Sequence, residues 1–273
     1  NVGGALALSS AANIFFGMDT APMTIRPYIK YMSKSELFAF MVVGMSTVAG
    51  TVMMVYATIL GNAIPNVIGH IVSASIINVP AAILFARIMM PDNAIKTAGE
   101  LHSFHAKNSM DAITRGALDG VQVFINVVAM LIVLVGLVAL ANQLLTLLPD
   151  VAGSAISLQR LLGYVFWPIM WLIGIPAEHA HTAAVLMGTK TVLNELIAYV
   201  DLAAVSDLSE KSRMIMVYAL CGFANLGSVG IMIGALGTLE PSRRSDVVHL
   251  GLKTIVAGTL ATLSTGALVS ILL

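Results

Sequence analysis

The chain has 273 residues, 58% of them hydrophobic and only 10% charged, with 14 basic against 14 acidic side chains and a mean hydropathy of +0.92. So little charge cannot cover a soluble surface, and the balanced signs offer no basic patch for a nucleic-acid polymer. Apolar windows near the ~20 residues that a spanning helix needs, without the short alternating strands of a barrel, predict an all-α polytopic membrane protein.

The first apolar run, "NVGGALALSSAANIFFG", is too short to span comfortably and rich in small residues, so it is read as one arm of a re-entrant hairpin. The chain begins inside this run with no cleavable signal in view, and is expected to be an N-terminally truncated piece of something longer. "GMDTAPMTIRPYIKYMSKSE" is polar and twice interrupted by proline, which predicts the hairpin tip and an aqueous connection. Helices are predicted over 36–60 and 67–90. The most polar stretch, 91–120, is expected outside the hydrocarbon as an interfacial helix, with His102 and His105 solvated. A nearly continuous apolar helix follows over 121–148. "LQRLLGYVFWPIMWLIG" carries the Trp and Tyr of a segment that lies at an interface. "AEHAHTAAVLMGTKTVLNELIAYVDLA" has the short, interrupted character of the first hairpin, and helices over 211–236 and 246–273 finish the chain. Cys221 is the single cysteine, placed in an apolar helix, so no disulfide framework exists.

The second half repeats the first. "GMSTVAGTVMM" from Gly44 aligns with "GFANLGSVGIM" from Gly222, an offset of 222 − 44 = 178. Near that offset "FFGMDT" falls on "LNELIA", and Pro65 lies close to the counterpart of Pro241. Each half reads as hairpin, interrupted helix, helix. One intervening spanning helix inverts the second copy, and paired Gly-interrupted segments point to a transporter's midplane site. The expected division is repeat one over 1–90, a polar interfacial connection over 91–117, a long scaffold helix over 118–150, and an interfacial helix with repeat two over 151–273.

Glu195, in "TVLNELIAY", is a carboxylate among apolar neighbours and costs several kcal/mol unless hydrated or paired. Asn225 and Ser228 stand at i and i+3, which puts them on one helix face, with Ala224, Gly227 and Gly230 small enough to let the helix unwind or pack closely. Glu178, His179 and His181 in "EHAH" do not have the spacing of a zinc site. No GxSxG, HExxH or P-loop is present, and no enzyme is expected.

"AANIFFG…APMTIRPYI", "TKTVLNELIAYVDL", "YALCGFANLGSVGIMIGAL" and "PSRRSDVV" together resemble the concentrative nucleoside transporter family, in order and over essentially the whole chain. The resemblance implies about three further helices before Asn1, a homotrimer in the cytoplasmic membrane, and an elevator-like transport domain built from the two inverted repeats. It implies that ribose is held by Glu195 of the Asn194–Glu195 pair and by Asn225 and Ser228, with Phe223 lining the pocket and Val52 packing on the base. The first tip, which contacts the base in the family, departs from the usual Gly-Gln-Thr-Glu-Ala-Pro. After Gly17 it carries Met18, Asp19 and Thr20. Asn13 and Thr47 match the side chains of the sodium-coupled relatives, with the carbonyls of Phe16 and Val48 completing an oxygen shell. The expected function is import of nucleosides driven by sodium, with no other cofactor. Proton coupling through Asp19 or Glu195, or a non-transporting gate or recognition module of the same fold, are the alternatives.

Overall fold

The computed structural model describes residues 2–61, 64–91, 97, 108–151, 153 and 155–273. The first repeat opens with α1 (Gly4–Phe16), turns over 17–20, and returns through two short helices, α2 (Ala21–Thr24) and α3 (Arg26–Ile29). Gly17 ends α1 at φ +80°, with Ala49 Cβ 2.7 Å from where a Cβ of its own would stand. Both the conformation and the space exclude a side chain there. Pro22 and Pro27 sit in the first turns of α2 and α3, where a missing N–H removes no helix bond. Ile25, Ile29 and Met32 are buried, so much of this polar-looking segment is packed protein and not an aqueous connection.

The helix expected over 36–60 is two helices, α4 (Lys34–Ser46) and α5 (Gly50–Leu60). A capping box starts α4: the Ser33 hydroxyl accepts the Glu36 N–H at 3.1 Å, and the Glu36 carboxylate accepts the Ser33 N–H at 3.2 Å. At its end, Ser46 and Thr47 donate their hydroxyls to the Val42 and Val43 carbonyls, and Thr47 turns extended. α6 (Val67–Met89) follows.

Residues 92–96 and 98–107, which hold His102, His105 and most of the expected polar connection, lie outside the described residues. From Ser109 the chain is not a separate interfacial helix but the beginning of α7 (Ser109–Leu145), so the boundary expected at 117/118 falls inside one helix. Asn108 caps it by accepting the Asp111 N–H at 2.8 Å, and an Asp111–Arg115 ion pair at i,i+4 supports the polar first turns.

The second repeat comprises α8 (Leu158–Leu172), α9 (Ala177–Val192), α10 (Glu195–Ala204), α11 (Glu210–Leu220), α12 (Leu226–Leu239) and, after a 3-10 turn, α13 (Arg244–Leu272). α8 packs along α9 and leaves Tyr164, Trp167 and Trp171 exposed. α11 and α12 are again one interrupted helix. Gly222 stands at φ +151° with the Ser46 carbonyl oxygen 2.7 Å from its missing Cβ, so the two breaks cross in near contact. Cys221 is therefore the residue that ends α11, buried and free, and not part of a continuous helix.

The repeats interlock. α5 of the first packs on α10 of the second, and α12 of the second packs on α2 of the first. α13 packs on α4 and α6 as well as on its own α11 and α12. Asn78 of α6 fastens the crossing: its amide donates to the carbonyls of Ser46 and Cys221, each at 2.8 Å, while its oxygen accepts the Thr265 hydroxyl at 2.5 Å. Buried polar groups at bilayer depth must find such partners. Among the described residues, Val67–Met89 and Pro241–Leu272 are long and apolar enough to cross a bilayer.

Candidate functional site

Two broken helices and two hairpin tips leave backbone ends facing one another, and a cavity of about 580 Å³ lies between them. Its walls are the first tip, α5, the second tip, the break before α12, and one side of α7 through Leu134, Val135 and Val138. Asn194 and Glu195 form the start of α10. The Asn194 side-chain oxygen accepts the Ile197 N–H at 2.9 Å, and Glu195 becomes the first helical residue, where the helix dipole favours a negative charge.

Glu195 is 4% exposed, and both of its oxygens have donors. The Tyr56 hydroxyl donates to Oε1 at 2.6 Å, and the Asn225 amide donates to Oε2 at 3.1 Å. Asn225 serves two partners at once. Its own oxygen caps α12 by accepting the Ser228 N–H at 2.7 Å, which aims the amide nitrogen at Glu195. Asn225 and Ser228 were expected on one helix face, but Asn225 precedes the helix, because the backbone from Cys221 to Asn225 is unwound by the close crossing at Gly222. Phe223, Asn225 and Ser228 all line the cavity.

The first tip contributes Met18, Asp19 and Thr20 to the same cavity, and α5 contributes Val52. Met18 is buried, whereas Asp19 and Thr20 are exposed. Asp19 does not cap the following helix. Thr20 occupies that position, without a side-chain cap bond. Gly17 shapes the turn and does not line the cavity.

Beneath the first tip, Asn13 and Thr47 are fully buried. The Asn13 amide donates to the Ser9 carbonyl at 3.3 Å, but its side-chain oxygen has no partner and lies 3.7 Å from where a Gly44 Cβ would stand. Thr47 donates to the Val43 carbonyl at 2.9 Å, and the Val48 N–H donates to Ser75 at 3.2 Å. Phe16, at the end of α1, lines the cavity. A buried oxygen without a donor is costly, and an oxygen-seeking cation relieves that cost, so the residues fit one.

The "EHAH" residues diverge. His179 bonds Ser212 of α11 at 3.0 Å, while His181 makes edge contacts with the rings of Tyr164 and Trp167 of α8. Among the described residues no group of His, Cys, Asp and Glu could hold a metal ion. Sequence reasoning missed Tyr56, although it follows Val52 at i+4 and so shares its helix face. It also missed Lys190, a fully buried cation in the arm of the second hairpin.

Inverted hairpin-and-broken-helix repeats that enclose one polar-ended cavity define an all-α membrane protein of elevator-transporter architecture. Comparison with known proteins carries this further. The family described as "Na+ dependent nucleoside transporter C-terminus" matches residues 70–270. An uncharacterized transporter of Bacillus subtilis, YutK, is 42% identical over 96% of this chain and 65% of its own length. The nucleoside permease NupC of Helicobacter pylori is 38% identical over 93% of this chain and 62% of its own. A CNTnw variant in an outward-facing state superposes with a TM-score of 0.87 at 36% identity, over 98% of this chain and 65% of that one. CNTnw in an inward-facing substrate-bound state gives 0.78, also at 36% identity, over 99% and 65%. The chain belongs to the concentrative, Na+ dependent nucleoside transporter family. It spans just under two thirds of the length of these relatives. They are named as transporters and permeases and not as enzymes, in line with the missing catalytic motifs.

Proposed function

We propose that this protein is a secondary active symporter that takes nucleosides into the cell across the cytoplasmic membrane, driven by a sodium gradient and assembled as a homotrimer. The observation that carries the reading is the convergence of Glu195, Asn225 and Ser228 on one cavity from the hairpin tip and the broken helix of the second repeat. Each carboxylate oxygen of Glu195 has two acceptor positions and spends one of them on Tyr56 or Asn225. The remaining ones serve a pair of adjacent ribose hydroxyls, which lose water on entering and need acceptors in exchange. Asn194 folds the tip that presents Glu195, Phe223 and Val52 supply apolar walls for sugar and base, and Met18, Asp19 and Thr20 face the base.

Sodium occupies the space between α1 and the first break, held by the side-chain oxygens of Asn13 and Thr47 and the carbonyls of Phe16 and Val48. The unpartnered Asn13 oxygen supports sodium coupling, since a buried amide oxygen is not protonated near neutral pH but does ligate a hard cation. Ion binding there fixes the first tip, which completes the nucleoside site. Counterflow of radiolabelled uridine in proteoliposomes tests the reading. Uptake is expected with sodium and not with choline. Uptake that ignores sodium but follows an imposed pH gradient sinks sodium coupling, and no uptake of any nucleoside sinks the function.

A further inference from the structure

Lys190 lies in the last turn of α9, fully buried, and takes no part in the nucleoside or sodium sites proposed above. Its ammonium donates to the Ala219 carbonyl at 2.9 Å and to the Thr262 hydroxyl at 3.1 Å. Ala219 is in the last turn of α11, immediately before the second break. The first repeat has a matching arrangement. Asn13 lies in the last turn of α1, and its open oxygen is next to Gly44 in the last turn of α4, immediately before the first break. In both repeats a side chain from the end of the hairpin's first arm meets the carbonyl-bearing end of a broken helix. One side chain brings an oxygen without a donor. The other brings a positive charge and no acceptor.

We infer that Lys190 is a cation built into the second repeat, where its ammonium holds the second hairpin on the end of α11 as a mobile ion between Asn13 and Thr47 holds the first hairpin on α4. The inference rests on the cation reading of the first repeat. A helix end carries partial negative charge on its unbonded carbonyls, so a cation there is favourable in either repeat. A buried lysine that merely filled space would be replaced at a gain by an apolar side chain, because desolvating the ammonium is costly. The consequence is a division of labour. The first tip is held only while an ion is bound, and the second tip is held always.

Amide hydrogen exchange on the full-length protein, in sodium chloride against choline chloride, separates the two tips. Removing sodium is expected to raise exchange about tenfold over 13–20 and to leave 188–196 within about twofold. Loosening of both tips together overturns the inference. Lys190→Met, neutral and of similar length, is expected to raise exchange over 188–196 about tenfold in either salt, and Lys190→Arg much less. Thr262→Val removes one acceptor with little change of shape, and is expected to raise it about threefold should the methionine variant not fold. Parental protection of 188–196 in Lys190→Met, or in Thr262→Val where the former does not fold, overturns the inference. No response to sodium at either tip sinks the coupling-ion reading alone, and Lys190 is then judged on the variants.

Discussion

The two breaks in the helices are built alike and finished differently. At the second, the Tyr199 hydroxyl donates to the Val217 carbonyl at 2.9 Å, Lys190 to that of Ala219 and Asn78 to that of Cys221. Side chains from three other helices close that helix end. At the first, Val42 and Val43 are bonded by the hydroxyls of Ser46 and Thr47 from the same strand of chain, Asn78 reaches Ser46, and the Asn13 oxygen is left open. A helix end exposes carbonyls that must be met at bilayer depth. The second repeat meets them with Tyr199 and Lys190 of its own and Asn78 of the first repeat, and presents a carboxylate. The first leaves the buried Asn13 side-chain oxygen without a donor. On the proposed reading, the same backbone device supplies a substrate acceptor in one half and an ion site in the other.

The sharpest way to break this contrast is at Glu195. Glu195→Gln keeps the shape but leaves one acceptor oxygen for two donors, Tyr56 and Asn225, and removes the charge. Losing charge-assisted hydrogen bonds of about 1.5–3 kcal/mol each is expected to lower uridine uptake efficiency about a hundredfold, with a monodisperse, folded protein. Parental uptake by the purified variant would show that the second tip does not hold the sugar. In the other half, Asn13→Ala with Thr47→Ala removes two oxygens from the proposed ion site. At about 1 kcal/mol each, the sodium concentration for half-maximal uptake is expected to rise about thirtyfold. A nucleoside KM at saturating sodium that stays within about twofold would confirm that the lesion belongs to the ion, and an unchanged sodium response sinks the site.

Tyr56 ties the halves together within the cavity, since it belongs to the first repeat and bonds the carboxylate of the second. Tyr56→Phe deletes one hydroxyl next to a ring already packed 4.9 Å from that of Tyr199. One bond to a charged group is worth roughly 1.5 kcal/mol, so the KM for uridine is expected to rise about tenfold with sodium dependence unchanged. A rise in both constants would mean that Tyr56 holds the fold and not the carboxylate.

The repeat, the breaks and the Glu195–Asn225–Ser228 set were legible because each leaves a local mark. A glycine interrupts an apolar run, and a polar residue stands where hydrocarbon should be. Tyr56 and Lys190 were not legible, because their roles depend on partners 139 and 29 positions away. α7 was placed too late in the chain because its first turns are polar, and only the Asn108 cap and the Asp111–Arg115 pair reveal that they continue the helix. The wall that α7 gives the cavity follows from inter-repeat packing, which no periodicity encodes.

The smallest effect is expected at the first tip, where this sequence departs from its family. Met18 lies under the tip, with its Cβ 2.9 Å from the position a Gly44 Cβ would take, so its thioether is a packing group. A thioether offers only a weak acceptor in any case. Asp19 is exposed, lines the cavity, and makes no hydrogen bond or ion pair with the described residues. It is therefore free to accept from a base that carries an exocyclic amine or a ring N–H, and it cannot donate while ionised. A site that bonds a group discriminates against analogues lacking it, but an exposed carboxylate still has water as an alternative partner, so the discrimination is modest. Met18→Gln, Asp19→Thr and Thr20→Glu together are expected to shift relative uptake among purine and pyrimidine nucleosides by about three- to tenfold, with ribose affinity and sodium response retained. Competition of unlabelled nucleosides against radiolabelled uridine measures this directly. The same ranking in parent and triple variant would mean that the first tip only closes over the base, and that all recognition in this cavity comes from the second repeat.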